Sequence, residues 1–494
     1  MPGNNVWKAC GAILILIALM ATAVIHDIRT PLWTDELLTL YVSQQPTSED
    51  VLASISDGVD AQPPAYAFLV RWLHPLIAQE QLRVRLPSTI GFFVMCVAVF
   101  WFAFRRLPMG YAVLAALFAA RTTWTYATEG RSYGLVLGAV SLALVFWQGA
   151  AKTRRLPAYV GLSISLAAGV AFHYATVCVL LAFCSGEVVR WWKSRKNDWA
   201  MLAALMFPVL ILVLQLPLIR AGKSFVKYFW SRPTASTLYG IYVNFLGPLL
   251  LPLFLAIVCS LWLAALRFTR KDETERSGDA IPVDEWSVVL MLTLLPELVV
   301  LVSLLTVETF VDRYVLWSMI GAGILLAGVL HRVARGSGSV AAIVMLPLLL
   351  WSTNITVAAA SYRPVLRHGE NLRNALAHVP AQPGPIVVSG VHAFMELWFY
   401  SEPALRDRLV YLVNPELEVR YLKTDTTSRL LSALGRWTVS GGTDYDQFIA
   451  ANPLFILADD TGEWIVPHLR RMHYRLQSVG DEPNLYLAMR PRND

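Results

Sequence analysis

Charge is scarce in this 494-residue chain: 15% of its residues are Asp, Glu, Lys or Arg, while 56% are hydrophobic. Soluble domains carry nearer a quarter charged residues, which excludes a purely soluble fold. Cysteine is scarce as well. The five present, Cys10, Cys96, Cys178, Cys184 and Cys259, lie in or beside hydrophobic runs, and the polar C-terminal stretch has none. That leaves no framework for structural disulfides, and no CxxC or Cys/His cluster points to a structural metal. Internal repeats and low-complexity segments are missing too. The net charge of +6 does not read as nucleic-acid binding, because Lys and Arg concentrate in short loops between hydrophobic runs.

What the chain does have is apolar runs, each long enough to cross a hydrocarbon core of about 30 Å. The first is 9–25. Others follow near 88–104, 109–127, 133–150, 157–173, 175–190, 199–219, 239–266, 286–305, 314–331 and 339–360, about eleven in all. They are continuous rather than alternating, which predicts helices and not a barrel. Arg105/Arg106, Lys152/Arg154/Arg155, Arg190/Lys193/Arg195/Lys196, Arg267/Arg270/Lys271/Arg276 and Arg332/Arg335 fall in alternate loops. The positive-inside rule assigns that side to the cytoplasm. The N-terminus is then inside, and the loop 26–87 and everything after about residue 360 are outside. Within that loop, 48–56 reads as a short capped helix. The stretch 65–78, apolar with Arg71 and Trp72, is short for a span and reads as an interfacial helix.

Unusual residues collect in the outer loops. The first carries Trp33-Thr34-Asp35-Glu36 and Asp60-Ala61-Gln62-Pro63-Pro64-Ala65-Tyr66. Others carry Glu129-Gly130-Arg131-Ser132-Tyr133, then His173-Tyr174, then Arg220, Lys223, Lys227 and Tyr228, then Glu308, Asp312, Arg313 and Tyr314. Singly, each fits interfacial snorkelling and an aromatic belt. Five loops carrying charge on the side opposite the cytoplasmic Lys and Arg point instead to a functional surface. The polar tail, with Pro380, Pro383 and Pro385 as a linker signal, alternates short apolar strands (385–389, 409–413, 454–458, 485–489) with helices (394–400, 426–434, 464–472). That pattern predicts a small α/β domain. It has no Gly-rich phosphate loop, and a strand-end turn accounts for Asp459-Asp460. The expected organisation is a polytopic α-helical membrane domain, 1–360, followed by a soluble α/β domain, 361–494, that covers the site or handles the acceptor.

In order along the chain stand an acidic pair in the first outer loop, Asp-x-x-Pro-Pro-x-Tyr, Arg85-Leu86-Pro87-Ser88, Glu-x-Arg-x-Tyr-Gly-Leu from Glu129, His173-Tyr174 and Arg313-Tyr314. This set resembles the GT-C superfamily of polyprenyl-phosphate-sugar glycosyltransferases, nearest to the protein O-mannosyltransferases and the lipid A aminoarabinose transferase. The resemblance covers about the first 330 residues; the tail is similar only in placement and type. It implies that the first run is an uncleaved anchor, although Ala21-Thr22-Ala23 looks like a signal-peptidase site. It also implies an inverting sugar transfer at the periplasmic face of the inner membrane, from a polyprenyl-phosphate donor to a lipid, glycan or protein acceptor. One departure stands out. The aminoarabinose transferases carry a Lys before their Pro, whereas here the stretch is Asp60-Ala61-Gln62-Pro63-Pro64. That argues against aminoarabinose as the donor sugar and fits the mannosyltransferase-like version better.

The chemistry assigns roles. The attacking hydroxyl must lose a proton, and a carboxylate can take it. Asp35 matches the loop-one acid of the resemblance and is the first choice, with Glu36 the second. The leaving phosphate gains negative charge, which cationic groups stabilise. Arg131, Arg220, Lys223 and Arg313 are the candidates, with His173 and Tyr228 as hydrogen-bond donors. Asp60, Glu129 and Tyr66 are candidates for the acceptor or the sugar. No cofactor is required. A divalent metal held by Asp35, Glu36 and Asp60 is an optional second way to neutralise phosphate. The alternative function is a transporter or flippase of lipid-linked saccharides, for which inverted repeats and a midplane site are expected. Charges at the outer ends of spans and an early acidic loop favour the enzyme. The early loop also disfavours an O-antigen ligase, whose large outer loop comes late.

Overall fold

The computed structural model describes residues 3–222, 227–268, 281–305, 309–378, 384–439, 441–459, 462–480, 482 and 484–491. Lys223, Glu308, Arg270, Lys271, Arg276, Pro380, Pro383 and Asp460 lie outside the described residues. The chain forms two compact units. One comprises 1–29, 77–216 and 232–362, and the other 30–76, 217–231 and 363–494.

Among the described residues the first unit contains helices and no strand, and each long apolar run of the sequence lies mainly on helix. Seven helices are long and apolar enough to cross a membrane, or eight if Trp199–Leu214 and Leu216–Gly222 count as one span. This makes the chain a multi-pass membrane protein, with fewer qualifying spans among the described residues than the eleven expected. Two of the shortfall are Leu156–Phe172 and Ser318–Val333, of 17 and 16 residues. At 1.5 Å per residue they reach only about 25 Å.

The tightest crossing is between Glu80–Phe104 and Tyr133–Thr153, and small residues make it possible. A Cβ on Gly134 would collide with the Ser88 carbonyl, and one on Gly138 would come within 2.6 Å of the Gly91 carbonyl oxygen. Gly134 and Gly138 form the small-xxx-small spacing that lets membrane helices approach closely. Ser88 Oγ donates to the Ala127 carbonyl at 2.8 Å and accepts from Gly134 N at 3.0 Å. The Arg-x-x-Ser element thus ties the end of Met109–Ala127 to the start of the next helix, and between them runs the loop of Glu129 and Arg131. Arg85 reaches back to the carbonyl of Asp27 at 3.0 Å, and the Asp27 carboxylate accepts from Thr89 at 2.5 Å, fixing the end of the first helix (Gly3–Arg29).

At the opposite end, where the expected cytoplasmic residues gather, the buried Glu285 accepts from Arg106 Nε at 3.0 Å and from Gln148 at 3.1 Å. Arg105 donates to the same Gln148 at 3.1 Å. Some of these basic residues therefore also join helices.

The second unit is built on a five-stranded sheet. Its strands are β1 (Ile386–Val388), β2 (Leu409–Val410), β5 (Leu454–Ala458), β6 (Arg475–Ser478) and β7 (Leu485–Met489), in the order β2-β1-β5-β7-β6. A separate parallel pair is formed by β3 (Leu412–Val413) and β4 (Thr443–Asp444). In the main sheet β1 runs parallel to both neighbours, with Ile386 opposite Leu409 and Ile456, while β7 is antiparallel to β5 and β6. The inner strand β1 is buried throughout, as expected of a parallel strand covered on both faces. Val387, Phe455, Leu457, Trp464, Leu469 and Ala488 form its core. The chain leaves β1 through Ser389-Gly390 into the helix Val391–Tyr400. Against that helix packs Thr34–Ser43, followed in sequence by helices Ser48–Ser56 and Ala65–Leu73. Asp57 fixes the far side of this segment by accepting from Trp437 Nε1 at 3.0 Å.

Candidate active site

The expected residues are divided between the two units. In the membrane unit three loops meet. The His173 ring lies 4.8 Å from that of Tyr314 and 5.8 Å from that of Tyr133. The Arg313 guanidinium sits 5.9 Å from the Tyr133 ring centroid, and both Arg131 and Arg313 are near enough to act on His173 electrostatically. Glu129 and Arg131 are buried, and the Arg131 amide donates to the Glu129 carbonyl at 2.7 Å in a tight turn. His173 is 8% exposed and ends the helix Leu156–Phe172 in an extended conformation. Its Nδ1 is buried without a hydrogen-bond partner among the described residues. Two guanidiniums, an imidazole and two phenols thus gather in one largely buried cluster, and polar groups at this depth mark a functional site. Such a cluster can hold an anion. Asp312 is turned elsewhere and accepts from Asn244 at 2.7 Å.

In the second unit the acidic motif opens the helix Thr34–Ser43. Glu36 is fully buried, and its carboxylate accepts from Trp33 N at 3.2 Å, closing a capping box over the helix start. Asp35 is only half-buried, and its carbonyl accepts from the Thr39 hydroxyl at 3.2 Å. The two carboxylates are therefore unequal: that of Glu36 is fully buried and caps its own helix, while Asp35 is half-buried. Asp60 accepts from Gln62 N at 3.1 Å in a local turn before Pro63, and Tyr66 is buried on the helix Ala65–Leu73. Arg220 is exposed on Leu216–Gly222. The carbonyl of Tyr228 accepts from the Thr424 hydroxyl at 2.8 Å, and Lys227 sits 4.9 Å from its ring. Among the described residues no group of three or more His, Cys, Asp or Glu side chains is placed to hold a metal ion.

Sequence reasoning missed what surrounds the motif. His392 Nδ1 is 2.8 Å from Thr34 Oγ1, and the Leu32 amide donates to the Tyr400 hydroxyl at 2.6 Å. Trp33 lies 6.0 Å from the His392 ring and 6.4 Å from that of His368, with the Arg367 guanidinium 4.6 Å over its own ring. The fully buried Glu396 accepts from the amides of His368 and Gly369 at 2.8 and 2.9 Å. Burial pushes the Glu396 carboxyl up; these two amides and Arg367 oppose the shift, and nearby Glu36 adds to it. These residues come from a tail with no sequence motif. The one available signal was the i, i+4 spacing of His392 and Glu396 on an apolar helix.

No protein-family model matches the sequence, and no curated protein matches it. Solved structures do. The structure of ArnT from Cupriavidus metallidurans bound to undecaprenyl phosphate aligns at a TM-score of 0.55 and 13% identity, over 99% of this chain and 98% of that one. Its apo state aligns at 0.57 and 14%, over 98% and 97%. The archaeal oligosaccharyltransferase AglB from Archaeoglobus fulgidus aligns more distantly, at 0.43 and 11%, over 92% of this chain and 70% of that one. At these identities the likeness is one of fold, and it spans the whole of ArnT. The chain has the fold of ArnT.

Proposed function

We propose that this protein is an inverting glycosyltransferase that moves a sugar from a polyprenyl phosphate to an acceptor hydroxyl at the periplasmic face of the inner membrane. The observation that carries this reading is the gathering of buried Arg131 and His173 with half-buried Arg313, in a chain whose structural neighbour over nearly its full length holds undecaprenyl phosphate. The acceptor oxygen attacks the anomeric carbon and forms the new glycosidic bond. The bond from that carbon to the phosphate oxygen breaks, and the acceptor proton passes to the Asp35 carboxylate. A single displacement inverts the centre. The departing polyprenyl phosphate goes from diester to monoester and gains charge, which Arg131 and Arg313 stabilise by preorganised electrostatics. Arg suits this because its planar fork can bind two phosphate oxygens. His173 Nδ1 supplies a hydrogen bond, and Arg220, Lys223 and Tyr228 assist the donor. Glu129 favours the positive character of the reacting sugar, and Asp60 and Tyr66 serve the acceptor side. The C-terminal residues form an α/β domain that takes part in acceptor handling.

Binding of undecaprenyl phosphate, measured by native mass spectrometry, tests the phosphate role. Arg313→Ala should weaken it about 10- to 100-fold, the loss of a charged hydrogen-bonded contact of about 1.5–3 kcal/mol. Wild-type affinity in that variant would remove Arg313 from the donor site.

A further inference from the structure

The three residues that precede Asp35 are all held by the C-terminal part of the chain, within one compact unit. Leu32 donates its amide to Tyr400, Trp33 packs among His368, His392 and Arg367, and Thr34 meets His392 side chain to side chain at 2.8 Å. His392, Glu396 and Tyr400 share the helix Val391–Tyr400 at i, i+4, i+8 spacing, one face of an α-helix. Glu396 holds the amides of the turn that presents His368. That turn and helix form a base plate under the start of Thr34–Ser43, and the sheet directs the helix there: β1 ends at Val388, directly before Ser389-Gly390. Ser389 is itself fixed by donating to Asp459 at 3.1 Å, beyond the end of the neighbouring β5.

A general base gains most of its advantage from being held in place, and an error of about 1 Å costs on the order of 100-fold. Glu36 fixes the first turn from inside through its capping bond. A long-range contact, from His392 to Thr34, holds the residue next to Asp35. We propose that His392 is a positioning residue for Asp35: its Nδ1 anchors Thr34 and so aims the adjacent carboxylate, which makes the soluble region a working part of the transfer step as well as an acceptor module. A hydroxyl can donate or accept, so the bond forms with either imidazole tautomer. The inference rests on Asp35 being the base.

The test uses the full-length protein in detergent. Two readouts are followed, beside undecaprenyl phosphate binding as a control, in wild type, His392→Ala, His392→Asn and Thr34→Val, with Asp35→Asn as reference. One is consumption of polyprenyl-phosphate sugars from a native lipid extract, and the other is backbone amide exchange over residues 33–37. His392→Ala should lower turnover about 10- to 100-fold while undecaprenyl phosphate binds as in wild type. Its amides at 33–37 should exchange faster. His392→Asn, whose side-chain amide takes the place of Nδ1, should restore both. Thr34→Val should match His392→Ala and supplies the same test if His392→Ala does not fold. Unchanged turnover or unchanged exchange in both His392→Ala and Thr34→Val, with Asp35→Asn inactive, overturns the positioning role and leaves the base in place. An active Asp35→Asn overturns both.

Discussion

Gly134 stands where the membrane unit can least tolerate a side chain, and Gly134→Ala is a sharp perturbation of it. The added Cβ would run into the Ser88 carbonyl, with Ser88 Oγ also close by, so the two helices must part. Overpacking of this kind costs about 1–3 kcal/mol. Separation also breaks the two hydrogen bonds of Ser88 Oγ, to Ala127 and from Gly134, worth about 0.5–1.5 kcal/mol each. The expected loss is about 2–6 kcal/mol. Ser88→Ala removes the bonds without the clash and should lose about 1–3 kcal/mol. Gly149→Ala is the control on the same helix: its Cβ would meet only Ala158 at an ordinary 3.8 Å. It should be neutral or gain up to about 1 kcal/mol from helix propensity. Denaturant unfolding of the purified protein in detergent measures all three. Because Ser88 and Gly134 flank the turn of Glu129 and Arg131, Gly134→Ala should also weaken undecaprenyl phosphate binding. Equal stability of Gly134→Ala and Gly149→Ala would refute the close crossing as the element that sets this turn.

Glu396 should give a pH signature. Its folded carboxyl is raised above the ordinary 4.5, mainly by burial, so the folded state keeps a proton that the unfolded chain has already released. Stability from this group is therefore full below about 4.5 and falls as pH rises through the raised value. Glu396→Gln, whose carbonyl can still accept from the amides of His368 and Gly369, should flatten that fall in melting curves taken from pH 4 to 8; an unchanged slope would show that another group dominates. Arg313→Lys should bind undecaprenyl phosphate with an affinity between wild type and Arg313→Ala, since it keeps the charge but loses the planar fork.

Much of this was legible from hydropathy because each apolar run is long and nearly continuous, a pattern that only a helix can satisfy in a bilayer. Ser48–Ser56 was readable from its cap, Thr47 with Asp50 three residues on. The span count was less legible: Leu156–Phe172 and Ser318–Val333 are apolar but short, and composition does not reveal how a short helix is accommodated. In the tail, Arg475–Ser478 escaped notice because it is an edge strand, largely exposed and without an apolar run. The meeting of His173, Tyr133 and Tyr314 could be inferred only as far as a shared membrane side, which alternating basic loops supply; that the rings come together depends on how the helices pack. The different environments of Asp35 and Glu36 were not legible, because adjacent residues of one sign look alike until the helix start is located. Thr34 meeting His392, 358 positions away, leaves no trace in either local sequence.

The measurement that bears most directly on the central claim is donor turnover. Purified protein is incubated with native lipid extract and periplasmic acceptors, and polyprenyl-phosphate sugars are followed by mass spectrometry in wild type and Asp35→Asn. Wild type alone should consume one such species, with free polyprenyl phosphate appearing in equal amount and the new glycoside inverted at the anomeric carbon. Consumption of no lipid-linked sugar by wild type, alongside movement of one across a vesicle membrane, would contradict it and make the protein a transporter.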